Sequence, residues 1–458
     1  MRFILTAAEM RAAEDRAIAS GISAETLMDR AGTAAAETIW RFAGPLPALV
    51  LCGPRNNGGD GYVIARRLAE RGVPVRLAAS AEPATESARW ARGLWQGPVE
   101  MLHQAEAAPL LIDALLGTGL TRPLEEGMVR DLHRLAAVAA VRASIDLPSG
   151  VASDDGALVS PVPDFDLTVT FAALKPAHLL QPAARHMGRL VVADIGVQAS
   201  SGLHAIARPQ LPAPGPDDHK YSRGYVAVLA GAMPGAAALA ASGAARAGSG
   251  YVRLLAPEAV AGLPHAIVQS PGATNYTLLG DKRIGALAVG PGLGRDEAAR
   301  LLLQGAMRSQ LPLVLDADAL FLLAEDGLVP FGAPAILTPH AGEFDRLFGA
   351  SAASKVERTR AAARASGAVV VFKGPDSVVA APDGRAAISR PAPHWLASAG
   401  TGDVLGGIVA AMLARGLEPF EAAQAGLWLH SQAAARAGPG ILADDLLAHL
   451  PALLGECA

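Results

Sequence analysis

The 458-residue sequence predicts two α/β domains, each a mainly parallel β-sheet with helices on both faces. Three observations lead to this fold class. The chain is longer than one ordinary domain. Short, almost continuously apolar runs alternate with helix-like stretches, which is typical of strands covered on both faces. Residues 209–218 contain four prolines, which neither pair in a sheet nor continue a helix. We therefore expect domains over residues 1–208 and 219–458.

The predicted elements follow this alternation in both halves. In the first half, strands are expected within residues 48–53, 109–117, 142–148 and 166–173. In the second half, strands are expected within residues 225–231, 286–292, 312–318, 334–340 and 368–374, before a helical block over 403–454. Polar or glycine-rich motifs follow most of these strands. Open α/β sheets bind ligands at the carboxyl ends of their strands, so we expect the functional groups to meet there.

Composition narrows the possible functions. Hydrophobic residues make up 51% and charged residues 18% of the chain, as in a folded protein. The net charge of −4 argues against binding to nucleic acid as the main activity. The two cysteines, Cys52 and Cys457, lie too far apart for a disulfide framework or a cysteine metal cluster. We therefore expect a cytoplasmic protein without a nucleic-acid partner.

No membrane partner is expected either. The N-terminal segment lacks the apolar core of a signal peptide. Residues 224–245 are uncharged and long enough to suggest a membrane span. Pro234 and two glycines interrupt them, however, so we predict a buried strand, a turn and a helix of small residues.

Glycines and carboxylates follow the strands of the first domain. The motif NNGGDG (56–61) lets a backbone approach a ligand and opens a helix whose free amides could hold a phosphate. A tight strand-to-helix turn is the alternative. Asp113 and Asp146 each follow an apolar run, where burial and neighbouring charges can prepare a carboxylate for proton transfer. Each could instead be a helix cap or turn residue.

A second set of motifs lies in the other domain. GTGD (400–403) opens a long apolar helix, so free amides and the Asp403 carboxylate would face a transferring phosphoryl group while Asp403 accepts a proton. A structural N-cap is the alternative for Asp403. TPHAGEF (338–344) supplies His340, which could also be a hydrogen-bonded loop residue. FKGPDS (372–377) supplies Lys373. No glycine loop has the P-loop pattern.

The motifs of the first domain resemble the NAD(P)HX epimerase domain, also called the YjeF N-terminal domain. They are LMDRAG (27–32), NNGGDG, DALLGTG (113–119), DLPSG (146–150) and TFAALKPAH (170–178). The resemblance implies a Rossmann-like fold and a potassium ion bound by Asn57, Asp113 and Ser149. It gives Asp146 the acid/base role. It also implies contacts to the hydrated nicotinamide nucleotide from Asn56, Asn57, Gly58, Gly59, Asp60, Gly117, Thr118, Gly119, Leu120, Thr121, Arg122, Pro123 and Asp146.

The second set resembles the ADP- or ATP-dependent NAD(P)H-hydrate dehydratase, a ribokinase-like domain. HKYSRG (219–224), GPGLG (290–294), DADAL (316–320), TPHAGEF, FKG and GTGD occur in the family's order. The resemblance implies that Ala237, Gly292, His340 and Asp403 meet the substrate. It places Lys373, Gly374, Pro375, Asp376, Ser377 and Gly402 at the adenine nucleotide. Phe321 stands where asparagine is common, and PDS where a threonine is frequent.

Together the resemblances imply a bifunctional repair enzyme. We also expect it to form a homo-oligomer. It would epimerise R- and S-NAD(P)HX and dehydrate the S form with ADP, giving NAD(P)H, AMP and phosphate. Asp403 would act as catalytic base, Mg²⁺ would accompany ADP, and NADHX, NADPHX and ADP would be the small-molecule partners. The alternative is a ribokinase-like small-molecule kinase fused to a non-catalytic binding module. A dinucleotide-dependent dehydrogenase ranks last, because no GxGxxG with a following acid is present.

Overall fold

A computed structural model describes residues 2–272 and 279–458. These residues form two compact units, Arg2–His204 and Ala205–Ala458, so the chain divides just before the proline-rich segment. Each unit has a sheet with helices packed on it, which confirms the predicted two-domain α/β fold class.

The N-terminal unit is built on a seven-stranded parallel sheet in the order β4-β3-β2-β5-β6-β7-β8. The strands of this sheet are β2 (Ala48–Cys52), β3 (Val75–Ala79), β4 (Glu100–Met101), β5 (Leu110–Ala114), β6 (Val141–Ile145), β7 (Leu167–Phe171) and β8 (Arg189–Ala193). The short strands β1 (Arg2–Phe3) and β9 (Leu203–Ala205) lie outside it. Its helices are α1 (Ala7–Ala19), α2 (Ala24–Ala43), α3 (Asn56–Glu70), α4 (Glu86–Leu94) and α5 (Glu126–Ala136). The strand order reverses between β2 and β5, which opens a crevice at their carboxyl ends.

Alternating side chains of this sheet fill two separate cores. Val50 of β2 packs in the same core as Ile39 of α2, on one face. Leu49, the preceding residue, packs in the core that contains Leu132 of α5, on the other face. Since successive residues of a strand point to opposite faces, both faces are buried, as the apolar runs predicted.

The C-terminal unit has its strands in the order β18-β17-β16-β15-β14-β13-β10-β11-β12. They are β10 (Tyr225–Leu229), β11 (Tyr251–Ala256), β12 (Ile267–Pro271), β13 (Ala286–Val289), β14 (Leu313–Leu315), β15 (Ala335–Leu337), β16 (Val369–Phe372), β17 (Val378–Ala380) and β18 (Ala386–Ile388). Strands β10 to β16 pair in parallel, whereas β17 and β18 are antiparallel additions. The order reverses between β10 and β13.

Eight helices of the described residues belong to this unit: α6 (Pro234–Arg246), α7 (Glu297–Arg308), α8 (Asp318–Asp326), α9 (Ala341–Phe348), α10 (Lys355–Ser366), α11 (Thr401–Ala414), α12 (Pro419–Ala437) and α13 (Asp445–Cys457). Glycine brings α11 against α6, since a β-carbon at Gly407 would lie 1.9 Å from the Ala240 carbonyl oxygen. This packing holds α11 beside β10, β13 and β14.

The uncharged stretch 224–245 forms β10, a turn and the larger part of α6, as predicted. Across the described ranges, every helix is too short or too polar to cross a membrane.

Candidate active sites

A cavity of about 730 Å³ opens in the N-terminal unit at the carboxyl ends of its central strands. Ten residues predicted to contact substrate line it: Asn56, Asn57, Asp60, Gly117, Thr118, Gly119, Leu120, Thr121, Arg122 and Asp146. They come from the start of α3, the loop after β5 and the residue after β6. The structure therefore brings together motifs that lie up to 90 residues apart in the sequence.

Three predicted contacts, Gly58, Gly59 and Pro123, are not among the lining residues. Both glycines serve close packing. A β-carbon at Gly58 would lie 1.8 Å from the Gly53 carbonyl oxygen, and one at Gly59 would lie 2.5 Å from Met28 Cε. The first turn of α3 therefore needs glycine at position 58 to fit against the backbone after β2, whereas a β-carbon at Gly59 would displace the end of the Met28 side chain.

Asp146 is 8% exposed and is held by donors on both carboxylate oxygens. Oδ1 accepts hydrogen bonds from Lys175 Nζ at 2.7 Å and Thr170 Oγ1 at 2.9 Å. Oδ2 accepts bonds from the Thr118 amide at 2.9 Å and from the Thr118 hydroxyl. Burial would raise the pKa of Asp146, but the Lys175 charge and these bonds outweigh it and hold the pKa well below its usual range. The residue is therefore a fixed anion.

The backbone around Asp146 is specialised as well. Its φ of 64° lies in the left-handed region that non-glycine residues rarely adopt, a strain on the order of 1–3 kcal/mol. His178 Nε2 lies 2.8 Å from the Asp146 carbonyl oxygen, and His178 Nδ1 accepts the Lys175 amide at 2.8 Å. Burial lowers the pKa of His178 to about 4, so the ring is neutral and ties the Lys175 loop to Asp146.

Lys175 is 2% exposed, and its ammonium also donates to Thr170 Oγ1 at 2.8 Å. Sequence reasoning singled out the TFAALKPAH motif but gave this lysine no role. The composition does single out Lys175, because it is one of only five lysines in the chain. Its position follows from the strand order, because β7 lies next to β6 and the loop after β7 places Lys175 beside Asp146.

Of the three predicted potassium ligands, Asn57 lines the cavity, whereas Asp113 and Ser149 are fully buried and do not line it. The buried Asp113 carboxylate accepts the Ser149 hydroxyl at 2.7 Å and the Ser149 amide at 2.9 Å. Burial raises the pKa of Asp113, and the bonds from Ser149 oppose it. Asn57 has buried amide atoms, Oδ1 and Nδ2, without a hydrogen-bond partner in the described structure. An unpartnered buried amide oxygen is a donor that a hard cation could use.

Nine further residues line the cavity, although no substrate contact was expected of them: Met10, Arg11, Glu14, Arg55, Thr85, Leu115, Leu116, Phe171 and Lys175. Three come from α1, which precedes every recognised motif. Only the fold brings α1 to the sheet edge, so neither spacing nor residue type could have indicated this wall.

In the C-terminal unit, Lys373 and Asp316 form an ion pair at 2.6 Å. Asp316 follows β14 and Lys373 follows β16. A β-carbon at Gly402 would lie 3.6 Å from Lys373 Nζ and 4.0 Å from Asp316 Oδ2, so the first turn of α11 faces this pair. DADAL was recognised as a motif, but the role of Asp316 as the partner of Lys373 was missed.

Asp403 lies in that first turn, half-buried, and its carboxylate has no hydrogen-bond partner among the described residues. Burial raises the pKa of Asp403 to about 7, with the charges of Asp316 and Asp318 adding and that of Lys373 opposing. The helix N-cap is Gly400, so Asp403 is not the cap. A carboxylate with a pKa near neutrality suits general base catalysis.

The GPGLG loop after β13 needs its glycines. Gly292 has a φ of +64°, and a β-carbon there would lie 2.0 Å from the Met233 carbonyl oxygen. The loop therefore packs directly against the segment after β10. This contact lies where the strand order of the sheet reverses. Ala237 is fully buried in the core.

His340 caps α9. Its Nδ1 accepts the amides of Gly342 at 3.0 Å and Glu343 at 3.4 Å, and its Nε2 lies 3.3 Å from Glu343 Oε1. The side chain is 61% exposed, so capping leaves its outer edge accessible. Burial and the Asp316 charge raise the pKa of Glu343.

The predicted nucleotide loop after β16 is braced from α10. Lys355 Nζ pairs with Asp376 at 2.6 Å, and a β-carbon at Gly374 would lie 2.7 Å from the same nitrogen. Ser377 Oγ donates to the Gly374 carbonyl oxygen at 2.9 Å. Pro375 completes this loop, and Lys355 is a neighbour that no motif indicated.

Phe321, which departs from the family pattern, lies between two guanidinium groups. Arg295 is 4.0 Å and Arg346 is 4.6 Å from the centre of its ring. Arg295 also pairs with Asp318 at 2.7 Å. The aromatic ring therefore packs on Arg295, which is paired with Asp318, one of the acids whose charge raises the pKa of Asp403.

Two family models match the chain. The model described as YjeF-related protein N-terminus matches residues 24–177, and the one described as NAD(P)H-hydrate dehydratase matches residues 226–451. Each falls within one structural unit.

Curated relatives match nearly the whole chain. The bifunctional NAD(P)H-hydrate repair enzyme of Salinibacter ruber is 35% identical, over 99% of this chain and 96% of that protein. The enzymes of the same name from Mycobacterium tuberculosis and Escherichia coli are 36% and 35% identical, over 92% and 94% of this chain and 91% and 89% of theirs. A Bacillus subtilis ADP/ATP-dependent NAD(P)H-hydrate dehydratase structure, co-crystallised with ATP/Mg²⁺, is 30% identical over 54% of this chain and 95% of that one, with a TM-score of 0.48.

Proposed function

The chain belongs to the family of bifunctional NAD(P)H-hydrate repair enzymes, and we propose how its residues divide the epimerase and dehydratase reactions between the two units. The kinase with a non-catalytic module is not supported, since relatives along nearly the full length are named bifunctional NAD(P)H-hydrate repair enzymes.

The epimerase reaction is assigned to the cavity of the N-terminal unit, and the fixed anion Asp146 is the observation that carries this assignment. Epimerisation at carbon 6 of a hydrated nicotinamide passes through a ring that gains positive charge when the hydroxyl departs. The Asp146 carboxylate, oriented by Lys175 and Thr118, would stabilise that charge. The acid/base role first expected for Asp146 stays a prediction.

The donor set of Asn57, Asp113 and Ser149 fits potassium. All three offer oxygen atoms, and the unpartnered Asn57 Oδ1 is the observation in favour. Bound there, the ion would balance the buried Asp113 charge and fix the loops after β5 and β6. The residues of the chain itself hold these two loops in place as part of the cavity wall.

The dehydratase reaction is assigned to the first turn of α11. Asp403 would accept the proton of the 6-hydroxyl group as that oxygen attacks the terminal phosphate of ADP. Phosphate then leaves with the electron pair of the C6–O bond, and the ring-nitrogen lone pair forms an N1–C6 double bond. Loss of a proton from carbon 5 to solvent forms the C5–C6 double bond and returns the N1–C6 π electrons to nitrogen, so NAD(P)H is restored with AMP and phosphate as the other products. Lys373 and the amide of Gly402 would face the transferring group.

Magnesium would accompany the nucleotide and neutralise phosphate charge. Within residues 2–272 and 279–458, no group of three or more histidine, cysteine or acidic side chains could hold a metal by itself. This fits Mg²⁺, which is usually bound by one or two carboxylates together with phosphates. Asp316 is the carboxylate that faces the first turn of α11.

We further propose that the protein is cytoplasmic and homo-oligomeric and that it acts on free NADHX and NADPHX, without nucleic acid or membrane. ADP is the preferred nucleotide in this proposal. An epimerase beside a stereoselective dehydratase removes both epimers, because the R form is converted to the S form that the second site accepts.

The pH dependence of dehydration tests the state of Asp403. A base with a pKa of about 7 is protonated in acid, so kcat/KM for S-NADHX should fall about tenfold per pH unit below neutrality and level off above it. The absorbance of regenerated NADH gives the rate. A profile that is flat from pH 5 to pH 8, about two pH units below to one above that pKa, would contradict this role.

Asp403→Asn tests the base directly. Dehydration should fall by roughly 10²- to 10⁴-fold because the amide cannot accept the proton. Conversion of R- to S-NADHX, followed by chiral chromatography, should be unchanged, because that reaction is assigned to the N-terminal unit. Near-normal dehydration would remove Asp403 from the mechanism.

Asp146→Asn tests the separation of the two sites. The variant should lose epimerisation by about 10²-fold or more, since Lys175 loses its partner and the cavity loses its anion. With a mixture of R- and S-NADHX and ADP, only the S fraction should yield NADH at the enzymatic rate. If both activities disappear, one shared site or unfolding is indicated instead.

Potassium can be tested by stability. KCl should raise the free energy of unfolding relative to choline chloride at equal ionic strength, by about 2.7 kcal/mol at 100 times the dissociation constant. Asn57→Ala should abolish the difference. Asn56→Ala, a neighbouring residue outside the ligand set, should keep it, and equal responses of all three proteins would exclude the site.

A further inference from the structure

We propose that Glu14, on α1, is the proton donor to the oxygen that leaves carbon 6 in the epimerase site. The proposal rests on the epimerase function proposed above and adds a catalytic residue that lies outside every recognised motif.

Glu14 lies on a face of α1 that forms one wall of the cavity. Met10, Arg11 and Glu14 all line it, at the spacing of residues on one side of a helix. Asp15, the next residue, is exposed and does not line the cavity. The wall therefore presents one carboxyl group of this acidic pair to the substrate space and the other to solvent.

The helix that carries Glu14 is fixed at its start. Thr6 and Glu9 form a capping box, with the Thr6 amide donating to Glu9 Oε2 at 2.8 Å and the Glu9 amide donating to Thr6 Oγ1 at 3.2 Å. The Ala7 amide donates to Asp154 Oδ1 at 2.7 Å, which ties the helix to the loop after β6. These backbone contacts of α1 thus hold Glu14 in place, while its carboxyl group remains available to a ligand.

The carboxyl group of Glu14 makes no hydrogen bond or ion pair with any other described residue. Asp146 differs, because four donors occupy its two oxygens. A carboxylate saturated in this way stays an anion and is a poor source of protons. Glu14 is partly exposed to the cavity, so it can exchange its proton with substrate and with solvent.

Electrostatics agree with this assignment. Burial raises the pKa of Glu14, and the charges of Asp146 and Asp15 raise it further, while Lys175 and Arg11 oppose the shift. Asp60 faces the same space from α3. Burial and the charges of Asp146 and Glu14 raise its pKa well above the usual range, so Asp60 retains its proton more firmly. Glu14 is the more readily exchangeable acid of the two.

Epimerisation proceeds by loss of water from C6 and addition of water to its opposite face. The Glu14 carboxyl group transfers its proton to the 6-hydroxyl oxygen as the C6–O bond breaks, and a water molecule leaves with the electron pair of that bond. The ring-nitrogen lone pair forms the N1–C6 double bond, and the fixed Asp146 anion stabilises the cation. A water molecule then adds to the opposite face of C6, the N1–C6 π electrons return to nitrogen, and the surplus proton goes to solvent. Glu14 is reprotonated from solvent.

Glu14→Gln and the matched control Asp15→Asn, both in the full chain, test this. Glu14→Gln should lower kcat for conversion of R- to S-NADHX by about 10²-fold or more, with little change in KM. Glu14→Asp should recover part of the rate, and Asp15→Asn should behave as wild type. Dehydration of S-NADHX by all variants should be normal, which reports on the C-terminal unit, while the partial recovery in Glu14→Asp reports on folding of the N-terminal unit.

A pH profile distinguishes proton donation from a structural role. An acid must be protonated to act, so wild-type kcat for epimerisation should fall as pH rises, and this fall should be absent in Glu14→Gln. Normal kcat in Glu14→Gln, or an unchanged profile in a slowed variant, overturns the proposal. If the wild-type protein itself does not epimerise NADHX, the proposed function fails, whatever the variants show.

Discussion

In each unit one lysine ammonium neutralises one aspartate at the carboxyl edge of the sheet, and the chemistry proposed for both sites depends on these pairs. Lys175 meets Asp146 at 2.7 Å, and Lys373 meets Asp316 at 2.6 Å. A charge moved out of water into this environment costs several kcal/mol unless a partner and further hydrogen bonds compensate. Removing one partner typically costs about 3–5 kcal/mol, because the other charge is left uncompensated. The strand ends and the loops that follow them place the lysine and the aspartate of each pair side by side.

Each pair also determines how nearby acids titrate. Asp146 is kept as an anion, and its charge helps to raise the pKa of Glu14 and Asp60. The charge of Asp316 likewise helps to raise the pKa of Asp403 to about 7. Both sites thus combine a carboxylate that is paired with a lysine and a second carboxyl group whose pKa is raised, an arrangement suited to proton transfer. In the first site the second carboxyl group would donate a proton, and in the second site it would accept one.

Backbone strain and glycine packing hold these groups in place. Asp146 has a φ of 64°, and Ala317, directly after Asp316, has a φ of 48°. Both follow a strand that ends at a site, and both are sustained by the surrounding loops. Gly58 and Gly407 permit the close approaches that position α3 and α11, since a β-carbon at either would overlap a backbone carbonyl. Glycine thus serves packing at Gly58, a position where the family resemblance implied ligand contact.

The sequence by itself determined the architecture and the motifs. Continuous apolar runs predicted the central strands because both faces of these sheets are buried, and the motifs identified Asp146 and Asp403 because their residues are contiguous. Tertiary structure alone decided the contacts between distant segments. It brought Glu14 of α1 to the cavity, paired Lys373 with Asp316, and set Lys355 beside Gly374. The physical reason is that strand order and helix docking bring these segments together, whereas linear spacing reports only on neighbours within one strand, helix or loop.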